Sequence, residues 1–185
     1  MRKNKPSIFR GVATGIAAGI AATLVMDQFQ KLSTAGQRAV HRQKKLADNE
    51  SPWLIAHEQA QKEQEQAEHE DSTEIVARRI AKVTGTHLPR EDKKKAGRAV
   101  HYAFGTLMGI VYAVSAEAVP EVTTGAGAAF GTLLFLVADE VAVPAFQLSS
   151  TPTNTHPFDH LQHWASHVVY GGSLEIVRNL ITRLM

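Results

Sequence analysis

No cysteine occurs in this chain of 185 residues, which excludes a disulfide scaffold, a thiolate metal site, an iron–sulfur cluster and a cysteine nucleophile. Aromatic residues are scarce at 6%, and the formal charge is only +2. Together these argue against a nucleic-acid partner. Charge itself is missing from three long stretches: no Asp, Glu, Lys or Arg falls within residues 11–26, 99–116 or 122–138. A soluble domain spreads charge along every helix as the outer face of an amphipathic pattern. Here the mean hydropathy of −0.16 hides segregation, because residues 43–97 carry a charge at every second or third position. With 44% apolar and 21% charged residues, neither disorder nor a fibrous repeat fits.

The first apolar stretch follows Met1-Arg2-Lys3-Asn4-Lys5, as in a secretory signal, but Arg10 interrupts its start. It then runs into Asp27-Gln28-Phe29-Gln30-Lys31 with no small-residue cleavage site. A retained membrane helix over residues 8–30 is expected instead. Its charge-free core, 11–26, is shorter than the roughly 20 residues of a full span, so its polar ends snorkel or are sheltered. A second span is expected over 97–118, stopped by Pro120. A third covers 123–146, apolar except for Asp139 and Glu140, with Pro144 kinking or closing it. A fourth covers 158–184, although Asp159, His160, His163, His167, Glu175 and Arg178 would make it soluble if taken alone. The expected architecture is all-α: a single membrane domain, an integral bundle of four transmembrane helices, with a polar, partly helical insert (36–92) between helices 1 and 2.

Within the insert, Ser51-Pro52-Trp53 supplies a cap and a first-turn proline. Residues 57–74 then carry seven acids against a single lysine. Ile75, Val76, Ile80 and Val83 form an apolar stripe beside Arg78, Arg79 and Lys82. This reads as a solvated helix followed by a surface-lying amphipathic one; an acidic metal-capturing arm using His57 and His69 lacks any ligand spacing. Arg2, Lys3, Lys5 and Arg10 favour a cytoplasmic N-terminus, while Lys93, Lys94, Lys95 and Arg98 pull the insert the same way. Long translocated loops weigh less, so the expected location is the bacterial inner membrane, multi-pass, with N- and C-termini cytoplasmic and the insert outside.

Glycines recur at four-residue spacing: Gly11, Gly15 and Gly19 in the first span, Gly105 and Gly109 in the second, Gly127 and Gly131 in the third. Gly171 lies midway along the fourth. Small residues allow the close backbone approach that drives helix association in lipid. The pattern fits a tight intramolecular bundle or contacts in a homo-oligomer equally well.

Alternating spans sort the polar residues by depth. Asp27, His101, Asp139, Glu140, His156, His160, His163 and, deeper, His167 fall on the insert side; Glu117, Glu175 and Arg178 fall on the opposite side. In the fourth span His160, His163, His167, Gly171, Glu175 and Arg178 share about 120° of arc. That stripe must face the bundle interior or water, since a charge in hydrocarbon costs roughly 2.5–3.5 kcal/mol. Asp139 lies near the Gly127–Gly131 stripe, Glu140 points elsewhere, and Glu117 is within reach of Arg178 or Glu175.

Three readings of the insert-side group stay open. His163 and His167 at i, i+4, with His101, could chelate a divalent metal. The same groups could form a proton-responsive site, because histidine titrates near neutrality and a carboxylate neighbour moves it. Or they could be hydrogen-bonded polar groups that lock the bundle. An enzyme is not favoured: Ser166-His167 lacks a strained-turn context, and the GxG at Gly125–Gly127 lies inside an apolar helix rather than after a strand.

The residues reached in this way resemble the YagU family of small bacterial inner-membrane proteins. The resemblance rests on His101 followed sixteen residues later by Glu117 in Ala116-Glu117-Ala118-Val119-Pro120, on Thr151-Pro152, and on His167 with Ser173-Leu174-Glu175-Ile176-Val177-Arg178. It covers about residues 97–182. It implies an inner-membrane protein linked to survival in acid with no established reaction, and it carries over His101, Glu117, His167 and Glu175. Asp139, Glu140, His160 and His163 depart from the family pattern.

Overall fold

A computed structural model describes residues 8–148 and 157–184. Among these the chain is helical throughout, with no strand. Helix α1 (Ile8–Ala47) has 40 residues, about 60 Å at 1.5 Å per residue, against a hydrocarbon core of about 30 Å. Its buried residues, Gly11, Thr14, Gly15, Ala18, Gly19, Ala22, Thr23 and Met26, recur at helical spacing in the first half only. The second half leaves the bundle as a polar extension. The insert therefore begins within an unbroken helix, beyond the expected end of the first span at residue 30.

Helix α2 (Pro52–Glu68) starts with its proline in the first turn and Ser51 at the N-cap, although the serine side chain makes no capping bond. It folds back on the extension of α1: Lys45 pairs with Glu50 and Glu58, Arg38 pairs with Glu63, and Ile55 is buried. Helix α3 (Ser72–Val83) is capped by Asp71, whose carboxylate accepts the Glu74 N–H at 2.8 Å. A single 3₁₀ turn, Arg90–Asp92, leads into α4 (Lys93–Ala118), which stops ahead of Pro120 as its sequence requires.

The third apolar stretch departs from expectation. It opens with a 3₁₀ turn, Pro120–Thr123, then reverses direction through Gly125, Ala126 and Gly127, all at positive φ. The GxG expected inside a helix is this turn. Gly127 has a second reason to be glycine: a Cβ there would sit 2.0 Å from the Gly171 carbonyl oxygen. Helix α5 (Ala128–Phe135) follows, continues as a π-helical segment (Leu136–Ala142), and ends in the short α6 (Val143–Ala145) around Pro144. Helix α7 (Pro157–Leu184) completes the described chain.

Stretches Ile8–Ala47, Arg90–Ala118 and Ala128–Ala145 are long and apolar enough to cross a membrane; α7 is long enough but not apolar enough. Composition thus supports three spans where four were expected. Ile16, Ile20, Leu24, Phe104, Leu107, Leu133, Val137, Ile176 and Leu180 are all exposed, apolar surface suited to lipid rather than water.

The glycines set the packing. Antiparallel α1 and α4 meet where Gly15 faces Ile110 and Gly19 faces Thr106; a Cβ on Gly109 would lie 2.5 Å from the Gly19 Cα. Antiparallel α5 and α7 meet where Gly131 faces the His167 carbonyl at 2.1 Å from an added Cβ. Both sets of contacts are made within the chain. Ala18, Ala22 and Met26 of α1 share a core with Tyr112 of α4 and Tyr170 and Leu174 of α7. The Tyr170 hydroxyl donates to the Gly105 carbonyl. Helices α1 and α7 are the central pair, flanked by α4 and α5. The flanking helices approach through the rings of Tyr112 and Phe130, whose centroids are 4.9 Å apart.

Candidate functional site

The polar groups of the bundle gather at its two ends. At the end away from the insert, Glu175 of α7 is the centre. It accepts from the Tyr112 hydroxyl and from Arg178 Nε, each at 2.8 Å, on one oxygen. Its other oxygen accepts from Arg178 Nη2 at 2.8 Å and Asn179 Nδ2 at 2.9 Å. Tyr112 has no exposed surface and Glu175 retains 7%. All the lone pairs of this carboxylate are therefore spoken for inside the fold.

Glu117 does not join that network. Arg10 Nη2 donates to both of its oxygens, at 2.9 and 2.7 Å. Antiparallel packing sets the start of α1 against the end of α4, so Arg10 meets Glu117 before Arg178 can. Sequence reasoning read Arg10 as an interruption of an apolar run and as one of the N-terminal cations, not as a partner of Glu117. The depth rule it applied elsewhere also places residue 10 level with residue 117, and that signal could have found the pair.

At the insert end the single expected cluster is divided. One part joins α1 to α4: the Tyr102 hydroxyl donates to Asp27 Oδ2 at 3.0 Å, and His101 Nε2 lies 3.1 Å from Asp27 Oδ1 without hydrogen-bond alignment. The other part joins the π segment to α7. Glu140 Oε1 lies 2.7 Å from His160 Nδ1, and Asp139 Oδ2 lies 3.3 Å from His163 Nδ1 and 3.8 Å from His167 Nδ1. His167 Nδ1 donates to the His163 carbonyl at 3.0 Å. His167 is buried beside the Phe135 ring, whereas His160 and His163 are exposed.

Glu140 is thus turned towards α7, contrary to the expectation that it points elsewhere. That expectation assumed α-helical spacing. A π turn closes on i→i+5 and changes the angle between successive side chains, so two adjacent carboxylates both reach imidazoles of α7. The expected metal-ligand group of His101, His163 and His167 is split: His163 and His167 both face Asp139, while His101 faces Asp27 on α1. No group of three or more His, Asp or Glu side chains suited to a metal forms among the described residues. His156 and Thr151-Pro152 lie outside the described residues.

The segment 79–176 runs from the middle of α3 to just past Glu175, within α7. A family described as "Protein of unknown function (DUF1440)" matches those residues, more than half of the chain. The chain belongs to DUF1440. No curated protein and no solved structure matches it. The DUF1440 segment contains His101, Glu117, Asp139, Glu140, the three α7 histidines and Glu175. It excludes α1, and with it Arg10 and Asp27, the partners of Glu117 and His101. Each α1 partner in this DUF1440 protein is therefore supplied from outside the matched segment, whereas the α5–α7 pairs are complete within it.

Proposed function

We propose that this DUF1440 protein is a multi-pass bacterial inner-membrane protein, YagU-like in character, whose histidine–carboxylate pairs bind protons and couple them to helix packing under acid or envelope stress. One observation carries the reading: His160, His163 and His101 each face a carboxylate from a different element, Glu140, Asp139 and Asp27. Protonating an imidazole beside an ionised carboxylate turns an ion–dipole contact into an ion pair that draws two elements together. The acid-stress association rests on the resemblance carried by His101, Glu117, His167 and Glu175.

In this reading α7 is the fourth span. Its Gln162 accepts from Gln37 of α1, its His160 and His163 face the π segment, its Glu175 takes the Tyr112 hydroxyl of α4, and it keeps antiparallel contact with α5 from His167 to Gly171. Shelter of this kind lets a polar helix cross where composition alone would not. N- and C-termini then lie on the cytoplasmic side.

The test is the pH dependence of thermal stability in detergent between pH 8 and pH 5. His160→Ala with His163→Ala removes two exposed pairs, each contributing about 0.2–1 kcal/mol when charged. Asp139→Asn with Glu140→Gln removes the same pairs from the other side. Both double variants should flatten the profile, and His167→Ala should add to the effect because its site is buried. A wild-type profile in both double variants would refute the proton-responsive reading.

A further inference from the structure

Helix α3 carries features the proton reading does not use. It lies across the insert-side rim of the bundle and is fastened to two spans. At its start Glu74 packs on α4, where a Cβ on Gly97 would meet the Glu74 Cγ at 2.7 Å. One turn further on, Arg79 donates to the carbonyls of Phe146 at 2.7 Å and Gln147 at 3.0 Å, just past the end of the third apolar stretch. The helix is therefore held level with the ends of two membrane helices.

Its inner residues Ile75 and Ala77 are buried, but Val76, Ile80 and Val83, at i, i+4 and i+7, form a second apolar stripe that runs from half-buried Val76 out to exposed Ile80 and Val83. Ile80 keeps 53% and Val83 88% of its surface, and Phe146 beside Arg79 keeps 65%. Arg79 and Lys82 stand beside this stripe on α3, and Lys94 and Arg98 on the first turns of α4, all exposed, none in an ion pair among the described residues. The neighbouring acids, Glu70 and Asp92, are already taken by Lys93, Arg78 and Lys95.

We infer that α3 is an interfacial helix that dips Val76, Ile80 and Val83 into the bilayer edge and holds anionic lipid headgroups with Arg79, Lys82, Lys94 and Arg98. An apolar stripe flanked by cations, lying in plane beside helix ends, is the arrangement that binds an anionic membrane surface. The inference depends on the protein being membrane-embedded and is independent of the histidine pairs.

The cysteine-free chain allows a direct test on the whole protein. Single variants Val83→Cys, Leu107→Cys on the outward face of α4, and Gln64→Cys on α2 are labelled with a fluorophore. Each is reconstituted into vesicles of neutral phosphatidylcholine, with or without anionic phosphatidylglycerol, containing bromine-labelled acyl chains. The label at 83 should be quenched like that at 107, more strongly with anionic lipid, while the label at 64 stays unquenched. Lys82→Gln and Lys94→Gln leave the Arg79 bonds in place. Each should lower the ratio of inserted to lifted α3 in anionic vesicles about fivefold, the equivalent of about 1 kcal/mol per basic residue at such a surface. A label at 83 as unquenched as that at 64, with 107 quenched, overturns the inference alone. An unquenched 107 removes the membrane reading beneath it. Shielding of 83 in detergent that grows with protein concentration points to a protein partner and also overturns it.

Discussion

A carboxylate in an apolar bundle needs a partner for every lone pair, and Glu175 has four donors from Tyr112, Arg178 and Asn179. Its value to the fold lies less in the net energy of the ion pair than in the cost of breaking it, because a lone buried charge is left behind. Glu175→Gln keeps an acceptor for Tyr112 but strands the Arg178 guanidinium. We expect a loss of about 3–5 kcal/mol in unfolding free energy, read by denaturant or thermal unfolding in mild detergent. Stability equal to wild type would mean that Arg178 finds another anion. Glu117 and Arg10, with 12% and 24% of their side chains exposed, form a wetter pair, and its removal should cost less. Glu175 and Arg178 were legible as neighbours from their spacing on one helix. Tyr112 was not, because an uncharged tyrosine in an apolar run gives no signal until a second helix brings a carboxylate to it.

At the scale of elements, α3 is docked through an acid rather than an apolar residue alone. Glu74 is buried, and its backbone N–H is capped by the Asp71 carboxylate. Burial, and after it the charges of Asp71 and Glu70 against that of Lys94, hold its carboxyl above the usual carboxylate range. A group raised in this way adds stability that is full below its unfolded pKa and is lost as pH rises through its folded value. Glu70 behaves oppositely: the hydrogen bond from Lys93, with further help from Arg78, keeps it below the usual range. Its contribution is present above the ordinary carboxylate pKa and fades as pH falls through the lowered value. Mild acid should therefore tighten α3 onto α4 before strong acid loosens the Glu70 end. Glu74→Gln keeps the Asp71 cap and the side-chain shape without the charge. It should slow hydrogen exchange in α3 at neutral pH and remove the tightening seen in wild type between neutral and mildly acidic pH. Unchanged exchange at both pH values would show that Glu74 does not govern the docking. Ile75, Val76, Ile80 and Val83 were readable beforehand as one stripe beside Arg78, Arg79 and Lys82; docking divides it into a buried end and an exposed end.

For the whole molecule, the question that composition leaves open is α7. Three stretches are apolar enough to span; α7 packs against α1 and α5 with His167 and Glu175 buried, while its His160 and His163 are exposed. If it crosses, the extension of α1 and the end of α7 lie on opposite sides of the membrane. His41→Cys and Arg183→Cys, both exposed, should then react with an impermeant maleimide from opposite faces of sealed vesicles. Reaction from the same face would leave α7 as a surface helix and reverse the depth of its histidines.

The order of the apolar stretches determined by itself which end of the bundle each ionisable residue occupies, since consecutive spans run in opposite directions and depth follows from position along the chain. Partnership did not follow in the same way. Whether Glu117 meets Arg10 or Arg178, whether Asp27 shares one cluster with Asp139, and whether Glu140 turns to α7 depend on rotation about helix axes. Rotation is set by the glycine contacts between α1 and α4 and between α5 and α7, and by the π turns through residues 136–142. These are relations between helices, and only the packed tertiary structure holds them.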